Sequence, residues 1–326
     1  MRGAVLAGVA VVLAALRALP AYAEPPRLAL PVDCTLGEDC YIQALVDIDP
    51  GPGVQDYQCQ GLTRDGHKGV DVGIYTLGAM RAGVPVVAAA AGTVLGVRDE
   101  MPDTGVTADT RDSVKGRECG NGVVLDHGGG WQTQYCHLRL GSVAVSKGQT
   151  VSRGTVLGMV GMSGKATFPH VHFSVRYRGK VVDPFDRRVA KTCRDEDRAS
   201  LWIDEPDYRP GNVLFAGFAP GIPKYSDIKE GTAGHATLTR TAPGLVLWMF
   251  GFSGAKGDRV EFEITGPGGF RFFHVAEIDK DQPLYSRSAG KRRRNAGWPT
   301  GTYDGSVRLV RNGQVMGVQT ATVRIK

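Results

Sequence analysis

The stretch Phe168-Pro169-His170-Val171-His172-Phe173-Ser174-Val175-Arg176-Tyr177 alternates polar and apolar side chains from its first histidine onward. Successive side chains of a β-strand point to opposite faces, so the alternation predicts a strand with one face in a hydrophobic core. The other face would hold two imidazoles side by side, together with Ser174 and Arg176. An amphipathic surface strand with exposed histidines is the alternative interpretation.

The same type of pattern extends over the rest of the chain. Glycine makes up 45 of the 326 residues and separates short alternating or β-branched runs, which is typical of an all-β protein with many turns. Helical signals are limited to short stretches near Leu77–Arg81 and Asp195–Leu201. The polar, aperiodic segment 99–118 is predicted to be a long surface loop, either functional or disordered.

The length of the chain favours two domains. We predict an N-terminal segment at 24–60, a Gly-rich antiparallel β-sheet domain at 61–200, a proline-bounded linker at 201–210 and a second domain at 211–326. The second domain contains six or seven strand-like runs, which fits an immunoglobulin-like β-sandwich. These runs are Val213–Phe218, Leu245–Phe252, Arg259–Ile264, Phe270–Ile278, Gly305–Val310 and Val318–Ile325.

Residues 1–23 have the layout of a cleavable signal peptide: Arg2, an apolar run, then the A-x-A site Ala21-Tyr22-Ala23. A membrane anchor is disfavoured because Arg17 and Pro20 interrupt the apolar run well short of the roughly 20 residues that a span needs. We therefore predict a periplasmic or secreted protein, with no stable membrane insertion after cleavage.

The six cysteines agree with export, because an even count outside the cytosol indicates disulfides. No Cys-x2-Cys pair is present to form a zinc ribbon. The runs 123–125 and 132–135 are predicted to form a hairpin, and folding it between His127 and Gly128 sets Cys119 opposite Cys136. We predict that these two are bonded. The other four cysteines allow three connectivities, which stay open.

A third histidine lies in Gly66-His67-Lys68-Gly69-Val70-Asp71. In an extended strand, His67 and Asp71 would be roughly 13 Å apart, too far for one metal ion. A bend at Gly69 would bring them together, and glycine permits such a bend. The alternative is a glycine-rich turn with an exposed charged pair.

A fourth histidine, His137, ends the second strand of the predicted hairpin beside Cys136. A histidine held there by a disulfide suits general acid–base catalysis, which tolerates little misplacement, although a structural role is more usual for a lone histidine. Two imidazoles and one carboxylate on Zn²⁺, with a fourth position open, form the donor set of catalytic zinc. We expect the other histidines, His127, His235 and His274, to be structural or exposed.

The elements His67-x3-Asp71, Tyr135-x-His137-Leu138 and His170-x-His172 resemble, in order and spacing, the motifs of the lysostaphin-like (LytM-type) zinc endopeptidases, which are peptidoglycan hydrolases. The resemblance covers residues 60–185 and makes 61–200 a zinc metallopeptidase domain. It implies that His67, Asp71 and His172 bind one Zn²⁺ per chain, that His137 and His170 are catalytic, and that the substrate is peptidoglycan. The segment 164–169 departs from the Ser/Thr-Gly-Pro run that many members carry.

Two other classes of function fit the sequence less well than this enzyme. A non-catalytic wall-binding or hydrolase-activator protein of the same fold is expected to lack ligands, and a biotinyl or lipoyl carrier gives the histidines no role. The net charge of +6 suits an anionic wall polymer but is ordinary for an exported protein, and nucleic-acid binding is disfavoured. The basic run Lys291-Arg292-Arg293-Arg294, near Trp298 and Tyr303, is either a contact for an anionic polymer or a solvated loop. Residues 24–60 are a candidate inhibitory segment over the cleft.

Overall fold

The computed structural model describes residues 24–188, 193, 197–293 and 297–326. The predicted signal peptide lies outside the described residues. Strands dominate the described chain, which confirms the all-β fold. The strands are β1 (Cys40–Ala44), β2 (Val70–Ile74), β3 (Pro85–Val87), β4 (Gly92–Arg98), β5 (Asn121–Asp126), β6 (Trp131–Leu138), β7 (Thr150–Val151), β8 (Val156–Met159), β9 (His170–Tyr177), β10 (Lys180–Val182), β11 (Asn212–Ala219), β12 (Thr237–Leu238), β13 (Gly244–Gly254), β14 (Arg259–Gly266), β15 (Phe270–Glu277), β16 (Gln282–Arg292), β17 (Gly301–Arg311) and β18 (Gln314–Ile325).

The helices are short. Helix α1 (Leu77–Ala82) confirms the first helical signal; it begins after Thr76, whose hydroxyl accepts from the Ala79 N–H at 3.0 Å. Helix α2 (Tyr225–Glu230) precedes β12. The second helical signal lies partly outside the described residues, and its described part, 197–201, contains no helix. The segment 99–118 is a loop with one 3-10 turn, Arg111–Val114.

The first sheet is antiparallel, with the strand order β1-β2-β9-β6-β5-β4-β7 and β10 on β9. The decisive strand, β9, lies at its centre between β2 and β6, as its double-sided burial requires. Val171, Phe173 and Val175 are almost fully buried in the core on one face. Because β2, β9 and β6 are neighbours, the three histidine-bearing segments meet on the opposite face.

The β5–β6 hairpin differs from its predicted register. Asp126 pairs with Gln132, and Gly122 pairs with Cys136, so the predicted alignment of Cys119 with Cys136 is wrong by three positions. The cause is a wider turn with three consecutive glycines of positive φ, 128 to 130, and a bulge near Asn121. The predicted pair Cys119 and Cys136 is bonded nevertheless, since Cys119 precedes the strand. The other bonds join Cys34 to Cys40 and Cys59 to Cys193.

The C-terminal part is a β-sandwich. A three-stranded sheet, β11-β13-β16, faces a five-stranded sheet, β12-β18-β17-β14-β15, across a core that contains Leu247, Phe262 and Val307. Two mainly antiparallel sheets packed face to face agree with the predicted sandwich, although the division into three and five strands differs from that of immunoglobulin domains. The Tyr303 hydroxyl donates to the Pro299 carbonyl at the start of β17, as in the tyrosine corner of that fold. Strand β16 was missed by the sequence analysis because its side chains are mostly polar.

The sandwich packs directly on the first sheet. Phe168 lies 5.8 Å from Phe250, and Tyr41 lies 4.6 Å from Phe252, measured between ring centroids. The predicted linker begins with Leu201 and Trp202, which are buried in the core of the first sheet. No helix in the described part of the chain is long and apolar enough to cross a membrane.

Candidate metal centre

The register of three strands places the candidate ligands. Asp71 on β2 pairs directly with His172 on β9, and His172 pairs with Cys136 on β6. His67 precedes β2, where the chain bends at Gly69, as predicted. A Cβ at Gly69 would lie 2.6 Å from the Phe173 carbonyl oxygen and 2.8 Å from the His172 ring, so only glycine allows this close approach.

Three donor atoms converge at this point. His67 Nε2 lies 3.0 Å from Asp71 Oδ1 and 3.0 Å from His172 Nδ1, and the last two atoms are 2.7 Å apart. These three residues form a cluster that could hold a metal ion. Asp71 is fully buried and His67 almost so, whereas the His172 side chain is 17% exposed. The cluster is therefore open to solvent on its His172 side.

Hydrogen bonds on the far side of each ring fix which nitrogen carries the proton. His67 Nδ1 lies 2.6 Å from the Leu45 carbonyl oxygen, which can only accept, so Nδ1 donates and Nε2 keeps its lone pair. Ser174 donates its hydroxyl proton to the Lys68 carbonyl, so its oxygen is free to accept from His172 Nε2 at 3.0 Å. His172 Nδ1 then also keeps its lone pair. Such outer contacts are the usual supports of metal-bound histidines.

His137 is the bulged residue of β6. Asn121 pairs with Leu138 while Gly122 pairs with Cys136, which leaves His137 without a partner on β5. Its φ of 65° is unusual for a residue other than glycine. The bulge turns the ring towards β9, where its centroid lies 4.7 Å from that of His170. Its Nδ1 donates to the Ser163 carbonyl at 2.7 Å, so Nε2 carries the lone pair.

His170 is held in the same way. Its Nδ1 donates to the Phe168 carbonyl at 2.8 Å, and its Nε2 lies 3.8 Å from Asp71 Oδ2. Buried His170 Nε2 has no hydrogen-bond partner in the described chain. A buried, unpaired lone pair beside Asp71 is available to a water molecule or a substrate proton.

The surroundings favour neutral rings beside a charged carboxylate. Burial lowers the pKa of His137 well below its usual range, with the nearby His170 and His172 adding to the effect, and burial also lowers the pKa of His170. Burial alone would raise the pKa of Asp71, but positive charge on His67 and His170 and hydrogen bonds from His172 and His67 lower that pKa well below its usual range. With the rings neutral, a bound cation would supply this positive charge. Neutral imidazole and carboxylate are the forms that bind zinc.

The groups that support these side chains were not predicted from the sequence. Arg64 donates to Asp71 Oδ2 at 2.7 Å and leaves Oδ1 to the cluster. The Leu45 and Ser163 carbonyls are backbone groups 22 and 26 residues from the histidines they hold, so no side-chain pattern marks them. Ser174 was visible on the same strand face as His172. Residues 24–60 supply β1 and the Leu45 carbonyl, so these contacts support a structural role; an inhibitory role stays a hypothesis.

Residues 65–184 match the family model described as Peptidase family M23. The chain carries a peptidase family M23 domain. This match confirms the resemblance to lysostaphin-like peptidases that the spacing of the histidine motifs indicated. The matched region contains all five of the predicted site residues.

Several curated proteins are similar to part of this chain. The peptidoglycan DD-endopeptidase ShyA of Vibrio cholerae is 40% identical over 70 residues, 22% of this chain and 16% of that protein. The DD-carboxypeptidase/endopeptidase Mpg of Neisseria meningitidis is 39% identical over 80 residues, 24% of this chain and 18% of that protein. The chain thus matches less than a fifth of the length of either relative.

A solved structure is also similar to this chain. The putative peptidase M23 from Pseudomonas aeruginosa is 29% identical, with a TM-score of 0.30, and the match covers 49% of this chain and 50% of that one.

Proposed function

We propose that this chain is an exported zinc metalloendopeptidase that hydrolyses peptide bonds in peptidoglycan stem peptides or crosslinks. One observation carries the proposal. Two imidazole lone pairs, on His67 Nε2 and His172 Nδ1, face each other at 3.0 Å beside the carboxylate oxygen of Asp71. No proton lies between the two nitrogens, so these nitrogens and the carboxylate oxygen repel one another. A cation among the three atoms would remove this repulsion.

The donor set fits zinc in a catalytic setting. Two neutral imidazoles and one carboxylate match the three-ligand sites of zinc hydrolases, which keep a further position open. Bound zinc supplies Lewis acidity, since it lowers the pKa of water to about 7 and polarises a carbonyl oxygen. The exposed side of His172 gives a substrate access to that position.

His137 and His170 supply the proton chemistry. Each holds its Nδ1 proton on a backbone carbonyl and keeps the lone pair of Nε2, so each can accept a proton from the attacking water. Once protonated, either ring can stabilise the oxyanion or donate to the leaving amine nitrogen. The presence of both rings favours the enzyme over a non-catalytic wall-binding or activator protein.

Peptidoglycan as substrate rests on the relatives from Vibrio cholerae that are named as peptidoglycan DD-endopeptidases. Export rests on the layout of residues 1–23 and on three disulfides, which persist in oxidising compartments.

The test combines zinc content with digestion of purified peptidoglycan, followed by mass spectrometry of the released fragments. We expect one zinc per chain, loss of zinc and activity in His67→Ala, and retention of zinc with loss of activity in His137→Ala. His127→Ala is the matched control, because His127 bonds Ala91 and Thr133 away from the cluster. A wild-type chain that binds no zinc and releases no fragments would contradict the proposal.

A further inference from the structure

A cleft of about 800 Å³ opens on the sandwich, far from the histidines in sequence. It lies where β13 begins and β16 ends, since Gly244 and Arg292 pair at that point. Gly244, Gly290 and Val246 form its floor, and the two glycines leave that floor without side chains. The glycines thus contribute only backbone to the cleft, and its volume leaves room for an extended ligand.

Two flat rings line one wall of the cleft. Phe272 and His274 alternate along β15, so their side chains share a face, and their rings lie 16° from parallel with centroids 6.4 Å apart. Ile222, which is 81% exposed, lines the cleft as well. An isoleucine so exposed beside two accessible rings forms an apolar surface suited to a partner.

The charge of the cleft has one sign. Lys291 and Arg292 line it, and the Lys291 ammonium lies 5.8 Å and 5.9 Å from the ring centroids of Phe270 and Phe272. No acidic residue is among the described residues that line the cleft. Neither cation forms an ion pair within the described chain, so both are available to an anionic ligand.

We propose that this cleft is a second peptidoglycan-binding site, which holds a carboxylate-bearing glycopeptide. The proposal rests on the proposed function, from which it takes the polymer. Lysine and arginine pair with the carboxylates of stem peptides, and the ring wall packs against the apolar faces of sugars or short side chains. The sequence analysis paired the basic run with Trp298 and Tyr303. Both of these aromatic residues are buried in the sandwich core. The rings that lie beside the basic residues in the cleft are those of Phe272 and His274.

The position of the cleft suits this role. Val246 at its floor and Phe250 lie on the same face of β13, about 13 Å apart along the strand. Phe250 packs on Phe168, two residues before His170. The strand that lines the cleft at its beginning therefore contacts, through buried Phe250, the segment that leads into His170.

The test measures binding in full-length mature protein with the His137→Ala change, which prevents cleavage. The probe is a soluble disaccharide-pentapeptide from peptidoglycan, with insoluble peptidoglycan in a parallel sedimentation assay. We expect Lys291→Glu with Arg292→Glu to raise the Kd by about tenfold or more, and His274→Ala to raise it less. Lys256→Glu with Lys280→Glu is the matched control. It changes the charge equally at the opposite end of β13 and β16, about 33 Å away.

Three results would overturn the cleft. They are equal binding by the cleft variant and the control variant, equal binding of a probe whose carboxylates have been amidated, and tighter cleft-dependent binding to phosphatidylglycerol vesicles than to the probe. Hydrolysis is measured separately with the wild-type chain. If the cleft variant loses binding but the wild-type chain does not hydrolyse peptidoglycan, only the proposed enzyme is contradicted. If the wild-type chain hydrolyses peptidoglycan but the cleft variant binds as before, only the cleft is contradicted.

Discussion

The backbone N–H of His137 donates a 2.8 Å hydrogen bond to the carbonyl oxygen of Cys119, and the disulfide of Cys119 is to the adjacent Cys136. The bond and the disulfide together close the bulge that directs the His137 ring to the metal centre. The left-handed backbone of His137 is thus held by the hydrogen bond at its own N–H and by the disulfide at the preceding residue.

The first prediction concerns this disulfide. Cys119→Ser with Cys136→Ser should lower kcat by about 10- to 100-fold, because small displacements of a catalytic group are costly. Zinc content should stay at one per chain. The free energy of unfolding should fall by about 3 kcal/mol, as expected for a short closed loop. Rates of peptidoglycan hydrolysis and chemical denaturation measure these effects. Cys34→Ser with Cys40→Ser is the control, and an equal drop in kcat for both pairs would refute a specific role in aiming His137.

The second prediction concerns Ser174, whose oxygen lies 3.0 Å from His172 Nε2. Ser174→Ala removes the acceptor that fixes the tautomer of His172, so we expect zinc affinity to fall by about 10- to 100-fold. Competition with a chromogenic chelator measures this affinity. Ser152→Ala, at an exposed loop serine, should leave it unchanged. An unchanged affinity in Ser174→Ala would show that another group orients the ring.

The third prediction concerns pH. Burial lowers the pKa of His137 and of His170, so both rings are expected to stay neutral as the pH falls through 6.5, the ordinary value for histidine. The acid limb of kcat/KM should therefore lie below pH 6.5. Zinc content measured over the same range separates protonation of the two rings from release of the metal. A limb at or above pH 6.5 with full zinc content would show that these rings are not the groups that titrate.

The fourth prediction concerns Asp183, a buried carboxyl with one oxygen unpaired in the described chain. Burial raises its pKa to about 7 from an ordinary value of 3.8, so the folded protein holds a proton there that the unfolded chain has lost. Stability from this group is complete below about pH 4 and is lost as the pH rises through 7. Asp183→Asn cannot ionise, so we expect it to gain about 1–3 kcal/mol at pH 8 and little at pH 4. Thermal denaturation at both pH values measures the effect.

The control for that experiment is Asp109→Asn, at an exposed position of the 99–118 loop. It should shift the melting temperature equally little at both pH values. A gain in Asp183→Asn that is as large at pH 4 as at pH 8 would assign the effect to hydrogen bonding instead of ionisation.

Side-chain patterns predicted the parts of the site that depend on strand geometry. Alternation in β9 put His170 and His172 on one face, and the bend at Gly69 followed from the distance that separates residues 67 and 71 in a strand. The resemblance to a known family, not the alternation, chose between the two histidines as ligand.

Other features had no signature in the residues. The register of the β5–β6 hairpin depends on how many glycines enter the turn and on the bulge at His137, neither of which alternation specifies. The carbonyls that fix the rings belong to the backbone, so any residue type can provide them. Strand β16 pairs through its backbone along β13 despite a polar sequence.

The aromatic contact between Phe168 and Phe250 has a consequence for the way this protein can be dissected or recombined. Besides the core inside the sandwich, a second hydrophobic core contains residues of both halves, so the halves do not meet through a flexible hinge. A fragment that ended near residue 210 would leave aromatic rings around Phe168 in water, within two residues of His170. The sandwich is thus unsuitable as an interchangeable module, because its removal would expose an apolar surface beside the candidate metal centre. Grafting it onto another protein would require that protein to present a matching apolar surface.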